Sequence, residues 1–271
     1  MSASFTSQTT RSPSSIEVVG ILNVTPDSFS DGGRYFDPSS AVAKGIEMFE
    51  GGAQIVDVGG ESTRPGATPI TVVEEIRRVV PVIEALSQHG RVSIDTFKAE
   101  VAGAAIKAGA SQINDISSTL YEVAAEHGVG WIAMHMKGTP QSMQLNPLYD
   151  DVVDEVFRFL SEKVAIARNL EIAEIYVDPG IGFGKTIEHN LKLLGAVGRF
   201  RELGVPVYLG TSRKSFLGKL VGEVEGSDAR PNDRLEGNLA TVAWAIANGV
   251  KALRVHDVKA TCDYIRLAGL A

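Results

Sequence analysis

Eight apolar runs rich in β-branched residues recur along the chain, and nearly every one ends at a polar or charged residue. They span residues 16–24, 54–60, 92–97, 112–117, 131–136, 174–180, 205–211 and 252–258. A strand that is buried on both faces is expected to consist almost entirely of Val, Ile and Leu. Polar side chains at the same end of successive strands therefore predict one shared site.

Helical patterns with start and stop signals separate the predicted strands. Asp37 followed by Pro38 predicts an N-cap with proline at the first helical position. Thr71, with Glu74 three residues later, predicts a capping box at the head of a helix over residues 72–88. Strand and helix alternate eight times, which predicts a parallel sheet with right-handed crossovers.

This alternation predicts a single (β/α)8 TIM barrel over residues 16–271, with the active site at the C-terminal ends of the strands. A doubly wound open sheet is the alternative, but eight units without a clear second domain favour a barrel. The polar stretch over residues 222–233 predicts a mobile loop or a solvated linker within this domain. Residues 1–15 are rich in Ser and Thr, which predicts a flexible N-terminal tail, with an organelle-targeting segment as the alternative.

The composition argues against several classes of function. A net charge of -7 over 271 residues provides no basic surface for nucleic acid or for an anionic membrane. No apolar run approaches the roughly 20 residues of a membrane span. Cys262 is the only cysteine, so the chain has no intrachain disulfide, which is typical of a reducing compartment. We therefore expect a cytoplasmic protein whose partners are small molecules.

The predicted barrel places a set of polar side chains around its mouth, where strand C-termini converge. Amides and carboxylates can bind the donor and acceptor edge of a nitrogen heterocycle, whereas Lys, Arg and His can hold an anion. For any single residue, an ion pair inside the barrel is the alternative. The expected mouth residues are Asn23, Asp57, Asp95, Asn114, Asp115, His135, Asp178, Lys214, Arg254 and His256.

Three predicted loops at the same end of the barrel add candidates. Loop 25–37 is longer than the roughly two to six residues usual for a βα connection, which is typical of a lid. Loop 59–69 presents Thr63 and Arg64 on a turn, where an arginine can hold a carboxylate or phosphate unless it is merely solvated. Loop 178–186 is rich in glycine, and we expect it to expose Phe183 at the mouth.

Two motifs that would indicate other functions are incomplete. A phosphate-binding P-loop needs glycine six residues before Lys185, but position 179 is proline, which lacks the backbone N–H. His135 and His256 could suggest a metal hydrolase, yet the first strand has no H-x-H and the chain has no H-E-x-x-H. We expect neither a nucleotide-binding loop nor a protein-bound zinc.

Eight sequence blocks, distributed in order from residue 20 to residue 258, together resemble one enzyme family. The blocks are GILNVTPDSFSDGG, DVGGESTRPGA, SIDTF, INDIS, MHMKGTPQSMQ, VDPGIGFGKT, TSRKSFLG and RVHDV. They resemble the dihydropteroate synthases of folate biosynthesis. The resemblance implies a transferase that joins p-aminobenzoate to 6-hydroxymethyl-7,8-dihydropterin diphosphate and releases diphosphate with Mg²⁺. It also implies a TIM barrel, a homodimer and a target of sulfonamides, which mimic p-aminobenzoate.

The resemblance implies a role for each candidate. The pterin-binding residues are Asp95, Asn114, Asp178, Lys214 and Arg254. The diphosphate-binding residues are Asn23, Thr63, Arg254 and His256, and Asn23 also binds Mg²⁺. The p-aminobenzoate-binding residues are Phe29, Thr63, Arg64, Pro65, Phe183 and Ser215. The catalytic residues are Asp31, Lys214, Arg254 and His256.

The resemblance implies a largely dissociative mechanism. Asp31 would stabilise positive charge and Phe29 would order the amine acceptor when the first loop closes. Position alone selects Asp57, as an ion-pair partner, and His135, as a core histidine. The family usually has glycine where Ser118 stands, so the turn after the fourth strand is expected to differ slightly.

Two other functions remain as alternatives. A corrinoid-dependent methyltransferase shares the barrel and the pterin site, but it has no need of the TRPG, SRKS and RVHDV blocks of a diphosphate pocket. A non-catalytic relative that only binds pterin is the second alternative. Loss of Asp178, Lys214 or Arg254 would favour it, and all three are present.

Overall fold

A computed structural model describes residues 16–25, 38–64, 66–225 and 227–270. Within these ranges the eight predicted strands are all present and parallel. The strands are β1 (Glu17–Asn23), β2 (Ile55–Gly59), β3 (Arg91–Asp95), β4 (Gln112–Asp115), β5 (Gly130–Met134), β6 (Ile175–Asp178), β7 (Tyr208–Leu209) and β8 (Ala252–Val255). The predicted (β/α)8 barrel is therefore confirmed, although most of the strands are shorter than the apolar runs that contain them.

The helices alternate with these strands. They are α1 (Pro38–Glu50), α2 (Val72–Leu86), α3 (Ala99–Lys107), α4 (Tyr121–His127), α5 (Val152–Asn169), α6 (Ile187–Gly195), α7 (Ser215–Glu225), α8 (Leu235–Ala247) and α9 (Val258–Leu267). Two 3-10 helices, Val197–Leu203 and Pro231–Asp233, lie in the connections. No helix in the described ranges is both long enough and apolar enough to cross a membrane.

The order of the strands closes the sheet into a barrel. Hydrogen-bonded neighbours run β6-β5-β4-β3-β2-β1-β8-β7, and a single parallel bridge between Val177 and Val207 joins the two ends. Strand β7 is only two residues long, and Pro206 just before it has no N–H to donate to a neighbouring strand. The seam between β6 and β7 is therefore the weakest pairing in the barrel.

Two cores stabilise the barrel. The larger one packs the helices against the outer face of the sheet, and the smaller one fills the barrel with side chains from the first half of the strands. The smaller core consists of Val19, Ile55, Ile132, Tyr176, Tyr208 and Ala252. Because side chains alternate along a strand, positions two residues further along point to the same interior. Those positions hold Asp57, Asp178 and Arg254, so strand periodicity carries polar groups to the upper barrel.

Two local predictions need correction. The stretch over residues 222–233 is not entirely a loop, since α7 continues to Glu225 before the chain leaves the helix. Thr71 does cap α2, because its side chain accepts a hydrogen bond from the Glu74 backbone N–H at 3.2 Å. Glu74 does not complete the capping box, because its carboxylate instead pairs with Arg77 and Arg78.

Candidate active site

A buried ion-pair network crosses the upper barrel and centres on Arg254. Its Nε lies 2.6 Å from Asp57 Oδ2 and its terminal nitrogen lies 2.6 Å from Asp95 Oδ2. Burial lowers the pKa of Arg254, but attraction to Asp57 and Asp95 outweighs this effect and raises the pKa above its usual range. The guanidinium is therefore a permanent cation at the floor of the mouth.

Asp57 joins its own strand, β2, to three other strands and leaves little of its carboxylate for a ligand. It accepts hydrogen bonds from the Ser93 hydroxyl and from Asn114 Nδ2, the latter at 2.9 Å, in addition to the Arg254 bond. Its side chain is completely buried. The prediction that Asp57 is an internal ion-pair partner is therefore confirmed.

Asp95 and Asn114 keep free acceptor atoms. Asp95 Oδ1 is buried and finds no hydrogen-bond partner among the described residues. Burial raises the pKa of Asp95 to about 7, and the Arg254 guanidinium opposes this shift. Asn114 donates one amide hydrogen to Asp57, which fixes the orientation of the amide and leaves its carbonyl oxygen available to a ligand. A buried polar atom without a partner is costly, so a ligand donor at this point would stabilise the site.

Asp178 and Lys214 are two further ionisable groups of the mouth, and each influences the pKa of the other. Burial raises the pKa of Asp178 although Lys214 opposes the shift, and burial lowers the pKa of Lys214 to about 8 although Asp178 opposes it. Asp178 Oδ1 accepts from the Gly180 backbone N–H at 2.7 Å. The Lys214 ammonium donates to the Ile181 carbonyl and lies 4.8 Å from the centre of the Phe183 ring.

His256 lies at the end of β8 as a neutral imidazole. Burial, followed by the charges of Arg254 and Arg213, lowers its pKa to about 3. Its Nδ1 lies 3.0 Å from the Ser212 hydroxyl, and its backbone N–H donates to the same oxygen at 3.1 Å. A neutral imidazole contributes a hydrogen bond to an anion and not a full charge.

The loop that carries Lys214 is held in a strained backbone conformation. Arg213 has a φ of 58°, in the left-handed region that L residues rarely adopt. Its guanidinium pairs with Asp257, with the shorter contact at 2.6 Å, and its carbonyl accepts from Arg234 at 2.7 Å. These bonds tie the residues beside Lys214 to the residue after His256, so both sides of the mouth move together.

The glycine-rich loop after β6 packs closely against the segment that follows β5. Gly180, Gly182 and Gly184 all have positive φ, and a Cβ at Gly180 would lie 1.9 Å from the His135 carbonyl oxygen. Lys185 is directed inward and is only 3% exposed. The loop presents Phe183, half-buried, towards Lys214.

Loop 59–69 is anchored by a buried cluster around Lys98. The ammonium of Lys98 donates to Glu61, to the Ile70 carbonyl at 2.8 Å and to Glu75 at 2.7 Å. Thr96 also donates to Glu75 at 2.8 Å. The cluster fixes both ends of the loop, which carries Thr63, half-buried, and Arg64, exposed.

The structure brings most predicted site residues to one end of the barrel. Asn23 ends β1 and is half-buried, and Ser215 is exposed at the first position of α7. Phe29, Asp31 and Pro65 lie outside the described residues. Their roles stay predictions.

Two features of this end of the barrel were not predicted correctly. Asp115 does not face a ligand, because its carboxylate accepts from the Ser117, Thr119 and Leu120 backbone N–H groups at 2.7–2.9 Å and turns the chain out of β4. Lys185 was rejected as a phosphate ligand and given no other role, yet it lies 3.0 Å from His135 Nδ1. Its position inside a glycine-rich block gave no signal of burial.

Comparison with known proteins shows the family to which the chain belongs. Residues 19–256 match the family model described as pterin binding enzyme. The chain is 44% identical to dihydropteroate synthase of Synechocystis over 93% of this chain and 88% of that protein. It is 45% identical to dihydropteroate synthase of Escherichia coli over 92% of this chain and 89% of that protein.

Solved structures give the same result. Dihydropteroate synthase of Xanthomonas albilineans with 4-aminobenzoic acid superposes with a TM-score of 0.86 at 44% identity, over 94% of this chain and 92% of that chain. The same enzyme in complex with 7,8-dihydropteroate gives 0.83 at 41% identity, over 94% and 93%. The Yersinia pestis enzyme with a sulfonamide drug gives 0.86 at 39% identity, over 96% and 94%.

The chain forms a TIM barrel whose mouth combines buried carboxylates, an amide and cations. Its sequence matches the pterin binding enzyme model over most of its length. Together these findings define the class of the protein as a pterin-binding enzyme. Within that class, the chain belongs to the dihydropteroate synthase family. The resemblance inferred from the eight sequence blocks is confirmed.

Proposed function

We propose that the protein condenses 6-hydroxymethyl-7,8-dihydropterin diphosphate with p-aminobenzoate to give 7,8-dihydropteroate and diphosphate. The observation that carries this proposal is the combination of groups at the mouth. The acceptors Asp95 Oδ1, Asn114 and Asp178 and the cations Lys214 and Arg254 belong to one site. A pterin diphosphate needs both kinds of group, because it joins a hydrogen-bonding heterocycle to a polyanion.

The pterin ring would lie among Asp178, Asn114 and Asp95. Asp178 would accept from the ring N–H and the exocyclic amino group, which are donors that a buried carboxylate binds strongly. Asn114, which donates one amide hydrogen to Asp57, would complete the edge through its carbonyl oxygen. Arg254 would stack on the ring while it keeps its bonds to the carboxylates below.

The diphosphate would bind to Arg254, His256, Asn23 and Thr63, with Lys214 nearby. We propose that Asn23 also binds Mg²⁺ through its amide oxygen. In the described parts of the chain, no three His, Cys, Asp or Glu side chains form a metal site. One neutral oxygen at the barrel mouth fits Mg²⁺ bound mainly by substrate phosphates and water. When bound, Mg²⁺ would neutralise charge on the departing diphosphate.

The reaction would begin with cleavage of the C–O bond between the pterin methylene and the diphosphate, whose oxygen keeps the electron pair. Cations around the leaving group favour this step because they stabilise the charge that develops there. The lone pair of the p-aminobenzoate nitrogen would form the new C–N bond, and that nitrogen would then lose a proton. No protein nucleophile is required.

The p-aminobenzoate ring would lie against Phe183, with Thr63, Arg64 and Ser215 around it and with Phe29 and Pro65 completing the pocket. Loop 25–33 would exclude water from the cationic pterin, and Asp31 would stabilise its positive charge. A sulfonamide would compete for this pocket, and the similar Yersinia pestis enzyme forms a complex with a sulfonamide drug.

We further propose a cytoplasmic homodimer. Leu191 on α6 and Trp244 on α8 are 46% and 50% exposed, and Trp244 Nε1 donates to the Leu194 carbonyl at 2.8 Å, which places the two helices side by side. Large exposed apolar side chains on neighbouring helices are typical of a subunit contact. Light scattering of the wild type and of Trp244→Glu tests this: a dimer that the substitution weakens supports it, and a wild-type monomer contradicts it.

The function is tested by following diphosphate and dihydropteroate together, with and without p-aminobenzoate and Mg²⁺. Lys214→Ala should lose at least about a hundredfold in kcat/KM, a loss typical of a deleted transition-state charge contact. Lys192→Met removes an exposed lysine of α6 that pairs with Glu188, and should retain wild-type activity. Tight pterin binding by the wild type without any turnover would instead support the non-catalytic alternative.

A further inference from the structure

The loop after β6 forms one wall of the site, and the buried Lys185 within this loop has no role in the proposed mechanism. We propose that Lys185 is a positioning residue that sets the place of Phe183, and with it the affinity for p-aminobenzoate. The proposal rests on the proposed function, because it assigns Phe183 to the p-aminobenzoate pocket. It differs from that function in concerning a residue that touches no substrate.

The side-chain nitrogen of Lys185 joins two loops through hydrogen bonds. Its Nζ lies 2.9 Å from the Phe183 carbonyl oxygen, 3.2 Å from the His135 carbonyl oxygen and 3.0 Å from His135 Nδ1. Three acceptors therefore surround this nitrogen, although burial lowers the pKa of Lys185 well below its usual range. Burying a lysine is costly unless such partners are present, so the arrangement is a specific one.

His135 is suited to accept this bond. Burial lowers its pKa to about 3, which leaves the imidazole neutral and one ring nitrogen free as an acceptor. The ring is fixed by an edge-to-face contact with Phe159, with the ring centroids 5.0 Å apart. His135 directly follows β5, so the hydrogen bonds of Lys185 hold the glycine-rich loop at a fixed distance from that strand.

The glycine-rich loop packs directly against the segment after β5, which leaves little room for another group to replace the Lys185 contacts. A Cβ at Gly184 would lie 2.3 Å from the Lys137 carbonyl oxygen, so the glycine loop lies directly on the segment after β5. Phe183 lies between Gly184 and Gly182, both with positive φ. A shift of the Phe183 carbonyl would therefore rotate the peptide and move the ring that faces Lys214.

Other bonds hold the outer side of the same loop. Tyr149 donates to the Gly184 carbonyl and Gln144 to the Gly182 carbonyl, each at 2.8 Å. Asn190 accepts from the Gly182 N–H at 2.7 Å. Because these anchors do not involve Lys185, its replacement should displace Phe183 while the loop stays folded.

The test compares Lys185→Met, which keeps the chain length but has no donor, with Lys192→Met as the matched control from the exposed side of α6. Wild-type product formation is measured first, since its absence would refute the proposed function and not the role of Lys185. For Lys185→Met we expect the KM for p-aminobenzoate to rise about tenfold, equivalent to about 1.4 kcal/mol. The KM for the pterin diphosphate and kcat should stay within about threefold.

A double-mutant cycle with Phe183→Ala separates positioning from a general structural effect. If Lys185 acts through Phe183, Lys185→Met should change the KM for p-aminobenzoate less than about twofold in the Phe183→Ala background. An equal change in both backgrounds, or no change in the folded single variant, overturns the proposal. Lys185→Gln keeps one amide donor and replaces Lys185→Met if the latter does not fold; if both are unfolded, Lys185 is a stability element and the proposal is wrong.

Discussion

Arg254 Nε and Asp57 Oδ2 lie 2.6 Å apart inside the barrel, although the two residues are 197 positions apart in the chain. The pair joins β8 to β2, and the Asp57 carboxylate also holds Ser93 of β3 and Asn114 of β4. The floor of the candidate pterin site is therefore a network that spans half of the barrel. Binding and stability should be coupled through it.

Asp57→Asn tests this coupling. The substitution removes the charge that compensates a buried guanidinium, and breaking a buried ion pair in this way costs about 3 kcal/mol in the free energy of unfolding. Urea titration measures the loss. Asp263→Asn, at an exposed pair with Lys259, should leave the unfolding midpoint nearly unchanged. A loss below about 1 kcal/mol for Asp57→Asn would contradict the assigned role.

The pKa of Lys214 predicts how kcat/KM depends on pH. Because burial lowers this pKa to about 8, the ammonium is charged below pH 8 and loses its proton as the pH rises through that value. We expect kcat/KM for the pterin diphosphate to fall above about pH 8, since this parameter reports the free enzyme. Lys214→Arg should have a lower rate but no alkaline decline in this range. An unchanged decline in Lys214→Arg would assign it to another group.

At Ser118 the backbone conformation lowers the stability of the fold, whereas the side chain raises it through a hydrogen bond. Its φ is 53°, which favours glycine, while its hydroxyl donates to the Met134 carbonyl at 2.8 Å. Ser118→Ala loses the bond and keeps the strain, whereas Ser118→Gly loses the bond and relieves the strain. We expect the glycine variant to be more stable than the alanine variant by about 1 kcal/mol in urea unfolding. The reverse order would show that the turn is not strained.

In the Lys98 cluster, the stability lost by removing the lysine should be partly restored by also removing the charge of its partner. Lys98→Met leaves Glu75, almost completely buried, without its cation, and should cost about 3 kcal/mol. Adding Glu75→Gln removes the uncompensated charge and should restore at least about 1 kcal/mol. Lys44→Met, at an exposed pair with Glu47, is the control and should be nearly neutral. Strictly additive losses in the double variant would exclude direct pairing.

The sequence predicts the barrel and most of the site because Asp178 and Arg254 interrupt strands that are otherwise apolar. A polar residue at an interior strand position is costly unless it is hydrogen-bonded or paired, so several such residues at one end of the barrel indicate a site. Lys98 with Glu75, and Lys185 with His135, could not be predicted in this way. Their partners are distant in sequence, and a lysine in a polar segment has no pattern that distinguishes a buried side chain from a solvated one. The turn at Asp115 is local, because its carboxylate binds backbone N–H groups two to five residues further along, but a carboxylate at the end of a strand is equally typical of a ligand-binding residue.

The central claim is that the polar groups inside the upper barrel bind the pterin, and calorimetric titration with the pterin diphosphate tests it most directly. Asp178→Asn replaces a buried acceptor by an amide that cannot accept from both pterin donors, and Asp263→Asn serves as the control. We predict at least about a hundredfold weaker binding for Asp178→Asn, equivalent to about 2.7 kcal/mol, and unchanged binding for the control. Wild-type affinity in a folded Asp178→Asn variant would contradict the account.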